Sequence, residues 1–247
     1  MSEAPEFELI YWPHLQGRGE FVRLVLEEAG ATYLDVARSP EAQGGGLDSV
    51  LAFRERRVAG RPLYAPPILK HAGQLFAQTS VICGYVGERY GLAGSGANDR
   101  FVVNEWMLGV LDCVDEAHDT HHPISTADYF EDQIPESVRA ATAFVSTRLP
   151  LRLDYFEAAI EFSGGPWLLG KEFTYADLGL FQLYEGLHYA FARAMAVHAS
   201  RYPKLAELHR AVRARPRISA YLGSTRRIPF NEHGVFRHYA QLDVLPE

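Results

Sequence analysis

The feature that constrains this chain most is a change of hydrophobic pattern near residues 91–98. Before it, short β-rich apolar runs alternate with helical patterns, whereas after about Asp99 the apolar residues recur at helical spacing. The segment between them consists mainly of small residues and follows Gly91, a typical helix stop. We therefore predict an α/β domain over residues 1–91, a linker over 92–98 and an all-helical domain over 99–247.

The first domain is predicted to run β-α-β and then through a hairpin to a helix. Phe7–Trp12 is a β-rich run, and the helical pattern that follows it ends at Gly30. A second strand follows, and then an irregular stretch rich in glycine. Two further strands are expected on either side of a turn at Ala72 and Gly73, and a helix from Gln78 or Thr79 closes the domain.

The second domain is predicted to be helical throughout. Thr174 and Asp177 have the spacing of a capping box, which predicts that a buried helix begins at Thr174. Proline precedes or opens each of the last two helices, as is common in the first helical turn. The last residues, from Pro229, form a tail rich in His, Phe and Tyr. The other predicted helices cover residues 101–117, 134–162, 204–214 and 217–222.

Composition excludes several classes of protein. The chain has 31 acidic and 24 basic residues, a formal charge of −7, which disfavours binding to a phosphate backbone. Cys83 and Cys113 stand alone, without the spacing of a disulfide framework or a zinc finger. The sequence shows neither the pattern of a secretory leader nor a run of about 18 apolar residues. We expect a cytoplasmic protein that binds neither nucleic acid nor membrane.

Three local motifs narrow the choice of fold. Tyr11 ends the first strand and Arg18 opens the next helix; the second motif, Pro66-Pro67, lies where the hairpin begins. Gln78 and Thr79 form the third, at a helix amino terminus, where unpaired N–H groups favour an anion.

With these motifs the sequence resembles the cytosolic glutathione S-transferases, in particular a bacterial member of the branch with a catalytic tyrosine, which includes the alpha, mu, pi and sigma classes. The resemblance covers nearly the whole chain and implies a thioredoxin-like α/β domain followed by an all-α domain. The matching segments are Tyr11-Trp12 with Gly17-Arg18-Gly19-Glu20 and Arg23, Pro66-Pro67-Ile68-Leu69 with a cis proline, Gln78-Thr79, FTYADLGL, and YPKLAELHRAVRARPRISAYL.

The resemblance implies that Tyr11 is the catalytic residue. A thiol has a pKa of ~8.5, so a hydroxyl that donates a hydrogen bond to glutathione sulfur favours the thiolate. Alternatively, Tyr11 is an ordinary aromatic residue at a strand end. Arg18 either approaches the thiol or steadies Tyr11, or it is simply a solvated charge. Trp12 is expected to point the other way, into the core.

The resemblance also implies which residues bind glutathione as co-substrate. Gln78 and Thr79 would hold the glutamyl end, or else simply cap the helix, and the backbone at Pro66 and Pro67 would pair with the cysteinyl part. Pro66 departs from the usual valine and offers only its carbonyl, which removes one main-chain hydrogen bond. For the glycyl carboxylate, Arg54, Arg56, Arg57 and Arg61 compete, and Arg57 is taken as the candidate. Glu105 would reach the partner subunit's glutathione, or would be an exposed helix carboxylate.

The electrophile pocket is predicted to include His14, Trp106, His118 and His122. His118 and His122, four residues apart near Asp115 and His121, also invite a metal interpretation. The HExxH arrangement is missing, however, and we favour pocket lining or polar contacts between helices and expect no metal. The tail would fold over this pocket or pack on the surface.

The resemblance predicts a detoxifying glutathione transferase that joins the glutathione thiolate to a hydrophobic electrophile. It also predicts a homodimer through the first domain and the long helices near Trp106. A glutathione-dependent isomerase, reductase or ether-cleaving enzyme of the same fold is the enzymatic alternative. A non-catalytic interaction module is the alternative from another class, since fold does not fix function. The physiological electrophile is not encoded in any of these motifs.

Overall fold

The computed structural model describes residues 4–55, 60 and 62–246. A four-stranded sheet in the order β2-β1-β3-β4 forms the first part of the molecule. Strand β1 pairs in parallel with β2 and antiparallel with β3, and β3 pairs antiparallel with β4. The strands are β1 Phe7–Ile10, β2 Tyr33–Asp35, β3 Ile68–His71 and β4 Gln74–Ala77.

Helices cover both faces of this sheet. They are α1 Gly19–Ala29, α2 Gly46–Arg54 and α3 Thr79–Arg89. Helices α1 and α3 pack together in the main core, which continues into the helical part of the molecule. On the opposite face a small second core joins Ile10 and Ile68 to Val50 of α2. Gly30 ends α1 in the left-handed conformation at φ +68°, which agrees with the helix stop predicted there.

The rest of the described chain is helical, and its long helix α4 packs along α7. Thr174 and Asp177 form the predicted capping box at the start of α7. The helices are α4 Asp99–Asp119, α5 Ile134–Ala143, α6 Leu149–Ser163, α7 Tyr175–Ala190, α8 Ala192–His198, α9 Pro203–Arg213 and α10 Pro216–Leu222. None of the described helices is both long and apolar enough to cross a membrane.

Two elements differ from the sequence prediction. The glycine-rich stretch taken as irregular contains α2, a short helix that buries mainly Val50. The single helix predicted over 134–162 is two helices, α5 and α6, joined by a π-helical segment at Phe144–Arg148. Single π-helical turns of this kind interrupt α-helices, and here Phe144 and Val145 of the turn both lie in the main core.

The predicted linker is packed against the helical part. Leu92 and Ala93 are buried, and the Leu92 carbonyl accepts a hydrogen bond of 2.8 Å from the amide of Tyr175 at the start of α7. The division into two domains at residues 92–98 stays a prediction.

A buried polar network ties α10 and the residues that follow it to the first part of the molecule. Glu20 and Arg23 on α1 form an ion pair of 3.3 Å with both side chains fully buried. Glu20 also accepts hydrogen bonds from Tyr221 and Arg227, while Arg23 donates one of 2.7 Å to Asp35. Mutual pairing makes these charges tolerable in the interior.

The same network reaches the loop that follows β1. The Gln16 side-chain amide donates to the carbonyl of Ile228 at 2.5 Å and accepts from Gln182 at 2.7 Å. Asn231 donates to the carbonyl of His14 at 2.8 Å. The tail therefore holds this loop through hydrogen bonds, which the sequence did not predict.

Candidate active site

Strand register brings three of the predicted site residues to one edge of the sheet. Ile10 is paired with Ile68, and Ile68 with Ala77. Since these pairs are antiparallel, the next residues on the three strands, Tyr11, Pro67 and Gln78, lie side by side just beyond the last pair. The sequence order alone does not reveal this arrangement.

Tyr11 lies under the turn that opens α1. Its side chain is buried, and its hydroxyl accepts a hydrogen bond of 2.8 Å from the backbone amide of Arg18. A β-carbon at Gly17 would lie 2.2 Å from this hydroxyl oxygen, and one at Gly19 would lie 2.4 Å from the ring. Gly17 also has a positive φ of +46°. The Gly-Arg-Gly sequence is therefore what allows the backbone to approach the tyrosine so closely.

The electrostatic surroundings keep Tyr11 protonated. Burial raises the pKa of its phenol, and this outweighs the hydrogen bond from the Arg18 amide and the charges of Arg23 and Arg18, which lower it. The guanidinium of Arg23 lies 5.8 Å from the centre of the Tyr11 ring. Since the hydroxyl oxygen accepts from an amide, its own proton remains available for donation. Tyr11 can thus act as a hydrogen-bond donor but not as a base at neutral pH.

Arg18 connects this turn to the helical part of the molecule. Its guanidinium forms an ion pair with Asp115 on α4, and both side chains are partly exposed. An exposed pair of this kind contributes little to stability. The sequence pattern places Asp115 in the histidine-rich segment and does not predict its pairing with Arg18.

The amino terminus of α3 is open. Gln78 is exposed, has a φ of +73° and makes no capping hydrogen bond with its side chain. Thr79 is only 3% exposed, and no hydrogen bond of its hydroxyl is found among the described residues. The first turn of α3 also contains no acidic residue. The unpaired amides and this hydroxyl can therefore bind an anion from outside the chain.

A cavity of about 280 Å³ lies next to Pro66. The peptide bond between Pro66 and Pro67 is cis, as the sequence predicted. Trp12 and Arg54 line the cavity, so Trp12 is half-buried on the smaller core instead of pointing fully inwards. Arg54 is the candidate cation that the structure places beside Pro66. Arg57, the residue chosen from the sequence, lies outside the described residues, as do Arg56 and Arg61.

The predicted electrophile-pocket residues do not form one group. His14 is exposed, while Trp106 is half-buried against the main core. Trp106 and His118 are separated by twelve residues of α4, or about 18 Å along the helix axis, so they cannot line one small pocket. His118 and His122 lie together with His121 at the carboxyl end of α4. Glu105 is exposed and lines a cavity of about 440 Å³ between α4 and α6.

Comparison with known proteins points to one family. A family model described as the C-terminal domain of glutathione S-transferase matches residues 118–225. A glutathione S-transferase of Plasmodium falciparum is 22% identical over 221 residues, which cover 87% of this chain and 94% of that protein.

Solved structures agree in fold. The pi-class glutathione S-transferase of Onchocerca volvulus has a TM-score of 0.65 at 18% identity and covers 88% of this chain and 92% of its own. A monomeric glutathione S-transferase of the hookworm Necator americanus has a TM-score of 0.67 at 17% identity and covers 91% and 100%.

The molecule thus has the glutathione S-transferase fold, a four-stranded α/β part followed by a helical part. The sequence is similar to proteins named glutathione S-transferase over most of its length, and this similarity supports its assignment as an enzyme. The predicted fold class is confirmed.

Proposed function

We propose that this protein is a glutathione transferase in which the Tyr11 hydroxyl stabilises the thiolate of bound glutathione. The thiolate then attacks an electrophilic carbon of a hydrophobic substrate. The observation that supports this most is the meeting of a buried, protonated Tyr11 with the open amino terminus of α3 at one edge of the sheet.

The two groups suit the two ends of a γ-glutamyl-cysteinyl peptide. The α3 amides and the Thr79 hydroxyl would bind the glutamyl carboxylate, and Gln78 would hydrogen-bond the same end. The Pro66 carbonyl would accept a hydrogen bond from the cysteinyl amide, as in an added β-strand. Tyr11, opposite Pro67 in register, would then meet the sulfur. The glycyl carboxylate would lie toward Arg54, or toward Arg57 as the resemblance implies.

Tyr11 would lower the pKa of the glutathione thiol by hydrogen-bonding to its charged form. Each pKa unit corresponds to roughly 1.4 kcal/mol, so a single donor in a water-poor site can account for a shift of about one to two units. Arg18 would act through the turn, since its backbone amide holds the Tyr11 oxygen.

The test is Tyr11→Phe, which removes the hydroxyl and leaves the ring in its packed position. Wild type should be retained on glutathione resin and should turn over a chlorinated nitroaromatic. The variant should still bind the resin but lose at least tenfold in kcat/KM, with the apparent pKa of its pH–rate profile shifted upwards by about one to two units.

Tyr33→Phe is a suitable control, because Tyr33 also donates a buried hydrogen bond, to Glu27, but lies on β2. It should leave the pH–rate profile unchanged. Failure of wild type to bind or turn over would contradict the enzyme assignment. Full activity in Tyr11→Phe would refute only the role given to Tyr11.

A homodimer is proposed through the outer face of α4 and α6. Phe101, Leu108 and Tyr155 are exposed there by 60%, 48% and 46%, around the cavity that Glu105 lines. This face lies on the long helices near Trp106, where the interface is predicted, while the Trp106 side chain itself packs on the main core. Sedimentation should give a species of twice 27.7 kDa that Leu108→Glu dissociates. A monomeric wild type would refute the dimer but not the enzymatic proposal, because a monomeric hookworm protein with this fold is also described as a glutathione S-transferase.

The remaining assignments stay predictions. These are the tyrosine-type class, the bacterial source, the cytoplasmic location, the lack of nucleic-acid and membrane partners, and Glu105 as a contact to the partner's glutathione.

A further inference from the structure

Three histidines meet at the carboxyl end of α4. One ring nitrogen each of His118, His121 and His122 lies within 4.8 Å of the others. The ring centres are 4.6, 5.5 and 4.7 Å apart. His118 is in the last turn of α4, and the other two follow in the turn after it. His121 and His122 are buried, at 1% and 8% exposure. The proposed function uses none of these rings.

Hydrogen bonds from outside the cluster orient two of the rings. His121 Nε2 lies 3.1 Å from the carbonyl of Val235 in the tail, so it carries the proton and donates. Nδ1 of His121 is then an unprotonated nitrogen, and it contacts His122 Nδ1. His118 Nδ1 lies 3.4 Å from an Asp119 carboxylate oxygen, which leaves Nε2 as its other donor or ligand atom. Histidines that bind metals commonly donate their second nitrogen to a carbonyl or carboxylate in this way.

Imidazole binds metal ions through an unprotonated ring nitrogen. Burial lowers the pKa of all three imidazoles.

Some charged groups around the three histidines favour a bound cation, and one opposes it. Arg237 of the tail lies near all three rings and opposes a cation, whereas Asp115, Asp119 and Glu131 favour one. Asp115 is already paired with Arg18, so the nearest unshared carboxylate is that of Asp119, beside His118.

We propose that His118, His121 and His122 form a three-histidine site for a divalent transition-metal ion such as Zn²⁺, with a fourth position open to water. Zn–N bonds of ~2.0–2.1 Å place tetrahedral ligand atoms about 3.3 Å apart, a spacing that the cluster can reach if the His121 and His122 nitrogens separate. Imidazole ligands select ions such as Zn²⁺, Cu²⁺ or Ni²⁺ over Ca²⁺ and Mg²⁺. The ion would link the end of α4 to the tail at Val235.

The test uses the full chain without an affinity tag, stripped with a chelator and titrated with ZnCl₂ in a calorimeter. One equivalent should bind, and Co²⁺ should give the visible absorption bands of tetrahedral coordination. His118→Ala and His122→Ala should each weaken Zn²⁺ binding at least tenfold. His233→Ala, an exposed histidine of the same tail, should leave the affinity unchanged.

Arg237→Gln provides a variant with the opposite sign, since it removes the repelling charge and should tighten Zn²⁺ binding severalfold. Circular dichroism and melting without metal would verify that each variant is folded. If neither wild type nor Arg237→Gln binds one equivalent, or if the double variant of His118 and His122 retains it, the cluster is a set of packed polar contacts and the proposal is refuted.

Discussion

A threonine lies at the amino terminus of both α3 and α7, as the first residue of α3 and as the cap that precedes α7, and the two termini are in opposite states. At α7, Thr174 has an extended backbone, with φ −132°, and the Asp177 carboxylate accepts from its amide and hydroxyl and from the Leu168 amide. At α3, Gln78 has a φ of +73°, and the buried Thr79 beside it has no such carboxylate in its turn.

The difference shows that the unpaired N–H groups of a helix amino terminus can serve either stability or ligand binding. Helix N–H groups need an acceptor, and at α7 the Thr174 hydroxyl accepts from the amide of Asp177 while the Asp177 carboxylate accepts from the amide of Thr174. Helix α3 lacks an acidic residue in its first turn and so leaves its positive end for a ligand. The closed terminus is expected to stabilise the fold, and the open one to bind glutathione at some cost in backbone strain.

The largest effect should come from Asp177→Ala. It leaves the buried donors of Thr174 and Leu168 without an acceptor, so the free energy of unfolding should fall by about 3 kcal/mol, as measured in urea. Asp99→Ala is the matched control, because Asp99 also accepts from two amides, those of Ser95 and Gly96, but at an exposed turn. Its cost should stay below about 1 kcal/mol. If both variants lose the same free energy of unfolding, the capping box of α7 stabilises the fold no more than an exposed turn does.

Thr79→Ala should act on binding instead of stability. Loss of a hydroxyl that bonds a carboxylate should weaken glutathione binding roughly tenfold, which equals about 1.4 kcal/mol, in a calorimetric titration. Thr79→Ser keeps the hydroxyl and should bind as wild type does. If Thr79→Ala lowers the stability of the protein but binds glutathione normally, Thr79 is a structural cap of α3. The termini of α3 and α7 would then not differ in function.

The smallest effect is expected for Gln78→Gly. Glycine adopts a positive φ without steric cost, which should raise the free energy of unfolding by up to about 1 kcal/mol. The greater flexibility of glycine in the unfolded chain offsets part of this gain, so the variant should be at least as stable as wild type. Glutathione binding should weaken at the same time. A clear drop in melting temperature would indicate that the Gln78 side chain supports the fold.

Local patterns were sufficient to predict much of the fold. The order β-α-β-β-α, the end of α1 at Gly30, the turn at Ala72 and Gly73 and the capping box at Thr174 all depend on neighbours within a few residues. Such signals can be read directly from a single sequence.

Features that depend on distant residues could not be predicted. Helix α2 begins in a run of glycines and is stabilised by packing Val50 on the sheet. The burial of Glu20 requires partners some two hundred positions away, Tyr221 and Arg227. For the site, a family resemblance predicted Tyr11, Gln78 and Thr79 and named Arg54 as one of four candidate arginines, whereas the contacts of Gln16 and Asp115 emerge only from the tertiary structure.

The hydrogen bond between Gln16 and Ile228 spans 212 positions of the chain. During biosynthesis the loop that follows β1 leaves the ribosome early, but its acceptor emerges only when synthesis is nearly finished. The part of this loop that the bond fixes can therefore reach its final conformation only after almost the whole chain has been released. A nascent or prematurely terminated chain would contain Tyr11 and the Arg18 amide that bonds its hydroxyl, but not the acceptor that holds Gln16.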